Sequence, residues 1–542
     1  MERKQEIDGL ELEIPQAEQT PTVKELLRII AQWQQENRKL REEIDRLKGL
    51  PPQPQRKPSM LGQDQPPQSG SGKKAKRRKR KGKRPGSTKR KKTSLLRIDE
   101  SVPCVPENLP HGAVRVSCRD GFVQDLEVHS HNICYRREVY RLSDGTWMVG
   151  LLPEHVQGHF GATLHSFVLY QHYHNQVTQP LIHEQLLDWG VDISSGQVDR
   201  ILHHGHEAFA AEKETLLEAA REVSKHFHTD DTSAKHRGKN GHTTVISNEF
   251  FASFTTSDSK SRLNFLEILR SPLQDYVVGP DALFYMEWHG LSQRELKRLE
   301  SASGAEGLVI EGAEAWERQL DAWNFTSQEA RRIVTEGALF GCLMGYDLYV
   351  HQPIISDDAG QFKILGYLPA LCWLHAERNV ARVIPMNQRE HNILDRVRSS
   401  IWNYFQSLKA YREAPTERKK RHLQRRFDEL FLKPTGFVEL NEALSRIHAK
   451  KEELLLVLEH PDLPLDNNMA ERDLRQWAKL RKVSSGTRSS LGRKCRDIFL
   501  SLRATCRKLG ISFWQYLQDR KKKSNSISSL AELIHLAASE SG

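Results

Sequence analysis

The chain of 542 residues has no apolar run approaching the ~20 residues that a membrane helix needs. Its first residues, Met1-Glu2-Arg3-Lys4-Gln5-Glu6, hold no apolar signal core, and mean hydropathy is −0.62. A soluble protein of the cytoplasm, associated with the nucleoid, is the expectation. Cysteine is sparse: the seven residues at 104, 118, 134, 342, 372, 495 and 506 include no Cys-x-x-Cys pair. An odd, scattered set excludes a disulfide framework and reads as reduced thiols. Acidic residues are missing from 73–92, which holds 14 lysines and arginines. The whole net charge of +11 is concentrated there; without that segment the chain is slightly acidic.

Hydrophobic residues make up 38% of the chain, enough to bury a core. A length of this size predicts two to four folded units joined by connectors. Residues 22–49 repeat every seven, with Val23, Ile30, Asn37 and Ile44 in one series and Leu26, Trp33, Leu40 and Leu47 in the other. These are the a and d positions of a coiled coil. A single a-position asparagine favours two strands in one register, and Glu36 and Glu43 stand where a partner's Arg41 and Lys48 would meet them. A homodimer or higher oligomer is expected through this helix. Pro51-Pro52 and a Pro/Gln/Gly/Ser-rich linker follow, and residues 50–95 are expected to be disordered. The run Lys76-Arg77-Arg78-Lys79-Arg80-Lys81 would bind phosphates without reading bases.

From residue 96 the composition becomes globular. Cys104, Cys118 and Cys134, near His129 and His131, lack the tight ligand spacing of a zinc finger and are expected to be ordinary buried thiols. Pro180 opens a helix carrying Ile182 and Leu186, and Gly190 ends it. Ser194 and Gln197 have N-cap spacing for a second helix through Val198, Ile201 and Leu202. This is a helix-turn-helix pattern, which serves DNA contact or plain packing.

Three acids then stand out. Asp230 and Asp231 lie in a strand-like run, followed by runs at 243–247 and 250–255 that complete an antiparallel meander. Leu348 to Ile355 reads as another strand, ending at Ser356-Asp357-Asp358. Glu471 sits one turn into a helix starting near Asn468, and the Asn468/Glu471 spacing is also that of a capping box. Each acid alone more often has a structural role; together, in a nucleic-acid binder, they suggest metal-assisted phosphoryl transfer. Two Mg²⁺ ions ~3.5–4 Å apart can stabilise both the attacking and the leaving oxygen of a displacement, and Mg²⁺ takes oxygen ligands.

His228-Thr229-Asp230-Asp231-Thr232, Ser356-Asp357, Cys372-Trp373-Leu374-His375-Ala376-Glu377-Arg378 and Leu465-Asp466-Asn467-Asn468-Met469-Ala470-Glu471-Arg472 resemble the transposases of the bacterial insertion sequence 66 family, over roughly residues 150–520. The resemblance implies an RNase H-like core whose Asp-Asp-Glu triad nicks donor DNA and joins the 3′-hydroxyl to target DNA. Asp230, Asp357 and Glu471 match the triad and would hold two Mg²⁺, with Mn²⁺ able to substitute and zinc not expected. Asp231 stands where the family more often has glutamate; it and Asp358 are neighbours of the triad. Cys372, His375, Asn467 and Asn468 would support the core. The family's zinc finger ahead of the core has decayed here, and small accessory proteins are possible partners beside double-stranded element-end and target DNA. Arg472, Arg475, Lys479 and Lys482 fall on one side of the glutamate helix and would suit DNA phosphates.

The expected architecture is a multidomain α/β protein. A disordered N-terminus (1–21), the coiled coil (22–49) and the basic linker (50–95) precede a degenerate zinc-finger-like and helix-turn-helix DNA-recognition region (96–220). An RNase H-like core begins at 221–385, is interrupted by a helical insertion (386–462), and resumes with the glutamate helix (463–520) before a C-terminal tail (521–542). The alternatives are a catalytically inactive DNA-binding protein derived from a transposase, and a nuclease of the same core that cleaves without joining.

Overall fold

The computed structural model describes residues 5–7, 10–12 and 97–541, except 105–107, 109, 118–120, 154–155, 157, 305–306 and 350. The expected coiled coil and the basic tract with Lys76 to Lys81 lie outside the described residues, as does Cys118. The chain divides into two units, Met1–Gln124 and Asp125–Gly542. In the first, Gln5–Ile7 pairs antiparallel with Leu10–Leu12, and Cys104 is exposed. In the second, Cys134 is exposed as well, so the expectation of buried thiols fails at both. For Cys134 the physical reason is local: the only regular structure among described residues 125–160 is a hairpin, Val139–Arg141 with Trp147–Val149, whose side chains are all exposed. There is no core there to bury a thiol.

The rest of the second unit is a mixed α/β structure. Helix α1 (Gln179–Asp188) turns at Gly190, whose φ of +73° closes the helix end, into α2 (Ser195–His203). The Ser194 hydroxyl accepts a hydrogen bond from the Gln197 amide at 3.2 Å, the cap that the spacing predicts. Ile182, Leu186, Val198, Ile201 and Leu202 are buried, joined by Phe209, Leu216 and Leu217 of α3 (Glu207–Val223).

Strands β1 (Phe227–His236), β2 (Lys239–Ser247) and β3 (Ala252–Ser257) form the expected antiparallel meander. Phe250 and Phe251 belong to the turn, where the Asn248 side chain accepts both their amides at 2.8 and 3.1 Å. A segment with its own two-stranded sheet then intervenes: β4 (Asp275–Val278), α4 (Pro280–Trp288), β5 (Leu308–Glu311) and the largely buried α5 (Gln328–Gly345). Gly337 and Gly341, one turn apart, face Met286 and the Val277 carbonyl so closely that a Cβ would collide.

Strand β6 is only Ile354–Ser356, shorter than the expected run from Leu348. Asp347 (φ +53°) and Tyr349 (φ +61°) turn the chain instead of extending it. β6 pairs parallel with β1 and with β7 (Pro369–Leu371), giving the five-stranded order β7-β6-β1-β2-β3. Helix α6 (Trp373–Ala381) follows, then α7 (Gln388–Glu413), α8 (Glu417–Leu432) and α9 (Val438–His448), packed around Tyr404, Phe427, Leu440 and the buried Trp373. Helix α10 (Asn468–Ser484) lays Ala470, Leu474, Trp477 and Leu480 against Ala234, Val245 and Phe254 of the sheet. Burying side chains such as Leu474 and Trp477 stabilises this contact by roughly 1.5–3 kcal/mol each.

Helix α11 (Ser490–Lys508) covers the free edge of β3. Its Asp497, Ser501 and Thr505, spaced one turn apart, accept the amides of Thr256 (2.8 Å), Phe254 (2.9 Å) and Ala252 (3.3 Å). Edge amides that would otherwise point outward are thus satisfied by side chains. The segment expected as a C-terminal tail holds helix α12 (Leu530–Ser541), with Leu530 and Ile534 fully buried. No helix among the described residues is long and apolar enough to cross a membrane.

Two outcomes follow. Ser501→Ala leaves the Phe254 amide buried without an acceptor, and urea denaturation should show a loss of about 1–3 kcal/mol. Buried His206 donates Nε2–H to the Ile201 carbonyl at 3.0 Å while its Nδ1 has no partner. Burial, reinforced by Lys521, lowers its pKa to about 3, and burial lowers that of His172 to about 4. Their depressed folded-state pKa values mean that stability is complete above about pH 6.5 and falls as pH drops towards 4. The denaturation midpoint should decline over that window, less steeply in His206→Gln.

Candidate active site

The start of helix α10 is tied to the sheet by one side-chain amide. Asn467, fully buried at the helix start, donates from Nδ2 to the Thr229 carbonyl of β1 at 2.8 Å. That donation leaves Oδ1 facing His228 Nδ1 at 3.0 Å, so His228 carries its proton on Nδ1. Burial lowers the His228 pKa to about 3 and keeps the ring neutral. The Asn467 amide N–H donates to Cys372 Sγ at 3.3 Å, and its carbonyl accepts from the Glu471 N–H at 3.2 Å. Cys372, at the start of α6, donates its own amide to the Ser356 carbonyl at 3.0 Å, and Trp373 donates to the Leu465 carbonyl at 3.0 Å. Strands β1 and β6 and helices α6 and α10 are therefore tied at one point. The capping-box reading of Asn468 with Glu471 does not hold: Asn467 is the N-cap, Asn468 is inside the helix, and its amide donates to Asp466 Oδ1 at 3.2 Å.

On this frame the three acids influence one another. Burial, with Asp357, Asp231 and Glu471 adding to it, pushes the Asp230 carboxyl up to about 7. Its side chain accepts the Asp231 amide at 2.8 Å. Asp357, just past β6, accepts the Ala359 amide at 3.1 Å. Glu471 is 16% exposed, with Arg378 and Arg475 at 3.7 Å and His375 at 3.9 Å. None of these is a hydrogen bond, and Glu471 Oε1 is buried without one. Burial lowers the His375 pKa and Arg378 adds to this, while Asp357 and Glu471 pull it back up.

The neighbouring acids differ in kind. Asp231 meets Lys260 at 3.0 Å and the Gln361 amide at 2.5 Å; adjacent strand residues point to opposite faces. Asp358 is ion-paired with Lys363 at 2.8 Å and with Lys450. Both are neutralised by lysines, whereas Asp230 and Asp357 are not in any ion pair among the described residues. These residues also hold no set of three His, Cys, Asp or Glu side chains already arranged as a metal cluster.

Arg472, Arg475, Lys479 and Lys482 are all exposed along α10. Asp473 pairs with Lys508 at 2.9 Å, and Asp497 is occupied by Thr256, so neither neutralises the stripe. Arg481 instead binds the Ser233 carbonyl and hydroxyl, fastening α10 to β1. Arg378, in the quoted motif but given no role from sequence, stands beside Glu471 and reaches His375 Nε2 at 3.2 Å. Its position three residues after His375, one helical turn on, is the signal that could have found it.

A family model described as Transposase IS66 family matches residues 337–494. The uncharacterized protein y4jO of Sinorhizobium fredii is 36% identical over 314 residues, a stretch covering 56% of this chain and 94% of that protein. The chain belongs to the insertion sequence 66 family of transposases. Action on DNA comes with membership in such a transposase family. The family match takes in Asp357, Cys372, His375, Asn467 and Glu471; Asp230 precedes it.

Removing the amide at 467 should loosen the frame without deleting an acid. Asn467→Ala strips His228, the Thr229 carbonyl and α10 of a common partner. DNA processing should fall about 10- to 100-fold, the usual effect of losing a residue that orients ligands, while filter binding shows DNA affinity retained.

Proposed function

We propose that the chain is a DNA transposase in which Asp230, Asp357 and Glu471 carry out donor-strand cleavage and strand transfer on an RNase H-like core. The observation that carries this reading is that Asp357 and Glu471, far from Asp230 in sequence, both act on the Asp230 carboxyl and raise its pKa, while Asp230 and Asp357 are in no ion pair among the described residues. Sheet order supports the core assignment: an antiparallel meander β1 to β3 with β6 and β7 added in parallel beside β1.

The donor set fits Mg²⁺. It is all carboxylate oxygen, Glu471 Oε1 is buried with no hydrogen-bond donor, and Asp230 is half-buried among like charges. Two bound Mg²⁺, or Mn²⁺, would polarise the attacking water or 3′-hydroxyl and steady the leaving oxygen. Asp230 and Asp357 would hold their oxygens from the sheet, and Glu471 from the helix that Asn467 fixes. Arg378 and Arg475 limit the negative field around Glu471, and Arg472, Arg475, Lys479 and Lys482 would take substrate phosphates. Cys372 and His375 keep α6 seated against the site. Residues 22–49 would pair two copies so that both element ends are held, Lys76 to Lys81 would bind DNA electrostatically, and α1 and α2 would contribute to end recognition. Accessory proteins remain compatible with this scheme.

The test is a Mg²⁺-dependent cleavage and joining assay on element-end DNA. Asp230→Asn, Asp357→Asn and Glu471→Gln should each yield no cleaved or joined product while binding DNA as the wild type does. Near-wild-type turnover by any one of them would remove that residue from the site. Cleavage without joining would identify a nuclease.

A further inference from the structure

A pocket of about 260 Å³ lies at the sheet edge formed by β6 and β7, with Ser356 and Leu371 in its wall. Ser356 immediately precedes Asp357. Trp288 from the end of α4 lines it too, with Arg262, Lys363 and Glu453. Trp288 is 66% exposed, an unusual setting for the largest apolar side chain. Arg262 is held in place by its neighbours: Nη1 lies 3.2 Å from His289 Nε2 and 3.9 Å from the buried Glu336 carboxylate. Its Nε is buried and has no hydrogen-bond partner. The pocket thus combines an exposed indole, apolar side chains, a lysine and a carboxylate, one residue from a proposed catalytic aspartate.

We propose that this pocket receives one unpaired nucleobase of the DNA strand engaged at Asp357, stacked on the Trp288 indole. The proposal rests on the reading of the chain as a DNA-processing enzyme. Every base has a π-face, so stacking tolerates any sequence, and each base–aromatic stack contributes ~1–3 kcal/mol. The Glu453 carboxylate, in the pocket lining, can accept from an exocyclic amine. Lys363, ion-paired with Asp358, lines the pocket as well. The cost of unstacking falls on the DNA, and is least where the base is already unpaired.

The test uses the full chain without divalent ion and two probes: a short duplex with a single unpaired thymine, and the same duplex fully paired. Wild type should bind the first about 5- to 150-fold more tightly, the range that one stacked base provides. Trp288→Ala should abolish the preference while leaving affinity for the paired duplex and the melting temperature unchanged. Trp288→Phe should keep a reduced preference. With 2-aminopurine in the unpaired position, quenching on binding should be seen in wild type and lost in Trp288→Ala. Equal affinity of wild type for both probes, or a preference that survives in Trp288→Ala, overturns the proposal. No cleavage enters this measurement, so its failure is distinct from failure of the Asp230, Asp357 and Glu471 variants.

Discussion

One buried side-chain amide sets the geometry on which the site depends. Asn467 spends its donor on a strand carbonyl and its acceptor on a neutral histidine, and its backbone joins a thiol to the first turn of α10. Buried hydrogen bonds of this kind hold their partners in place, because each broken bond would leave a polar atom stranded. Glu471 shares that hold: its backbone amide is bonded to the same residue. The position of the glutamate over the sheet is therefore decided four residues before it, by a group that takes no part in chemistry.

Electrostatics sort the five clustered acids. Side chains of adjacent strand residues such as Asp230 and Asp231 alternate in direction, and of these two only Asp231 is ion-paired among the described residues. Asp231 and Asp358 are answered by Lys260, Lys363 and Lys450. Arg378 and Arg475 stand at 3.7 Å from Glu471, close enough to soften its field but not to bond it. A polyanionic substrate approaching along the exposed cations of α10 would meet acids whose repulsion is already partly screened.

Much of this was legible in the residues. The Ser194/Gln197 cap, the 227–257 meander and the amphipathic run from 468 followed from period and capping alone, because in each the local preference and the tertiary contact agree. The capping-box reading of Asn468 failed because tertiary bonding won: the asparagine one position earlier was drawn into the sheet. The strand from Leu348 failed because two left-handed residues, Asp347 and Tyr349, carry no signature that distinguishes them from extended ones. The small sheet β4/β5 and its helices went unseen because their strands are four residues each, too short to show a period. Of the site, the acids and the Cys372/His375 pair could be named from motif wording. The role of Asn467 as a tie and the proximity of Arg378 to Glu471 depend on folding that brings residues more than 90 positions apart into contact.

The row of hydroxyl and carboxyl groups that α11 offers to β3 has a consequence for assembly. A strand whose outward amides are already engaged cannot recruit a strand from another molecule, and at the opposite border Pro369 in β7 presents a residue with no amide hydrogen to give. The sheet that seats Asp230 and borders Asp357 is thereby shielded from strand exchange, so its register does not depend on what stands beside it.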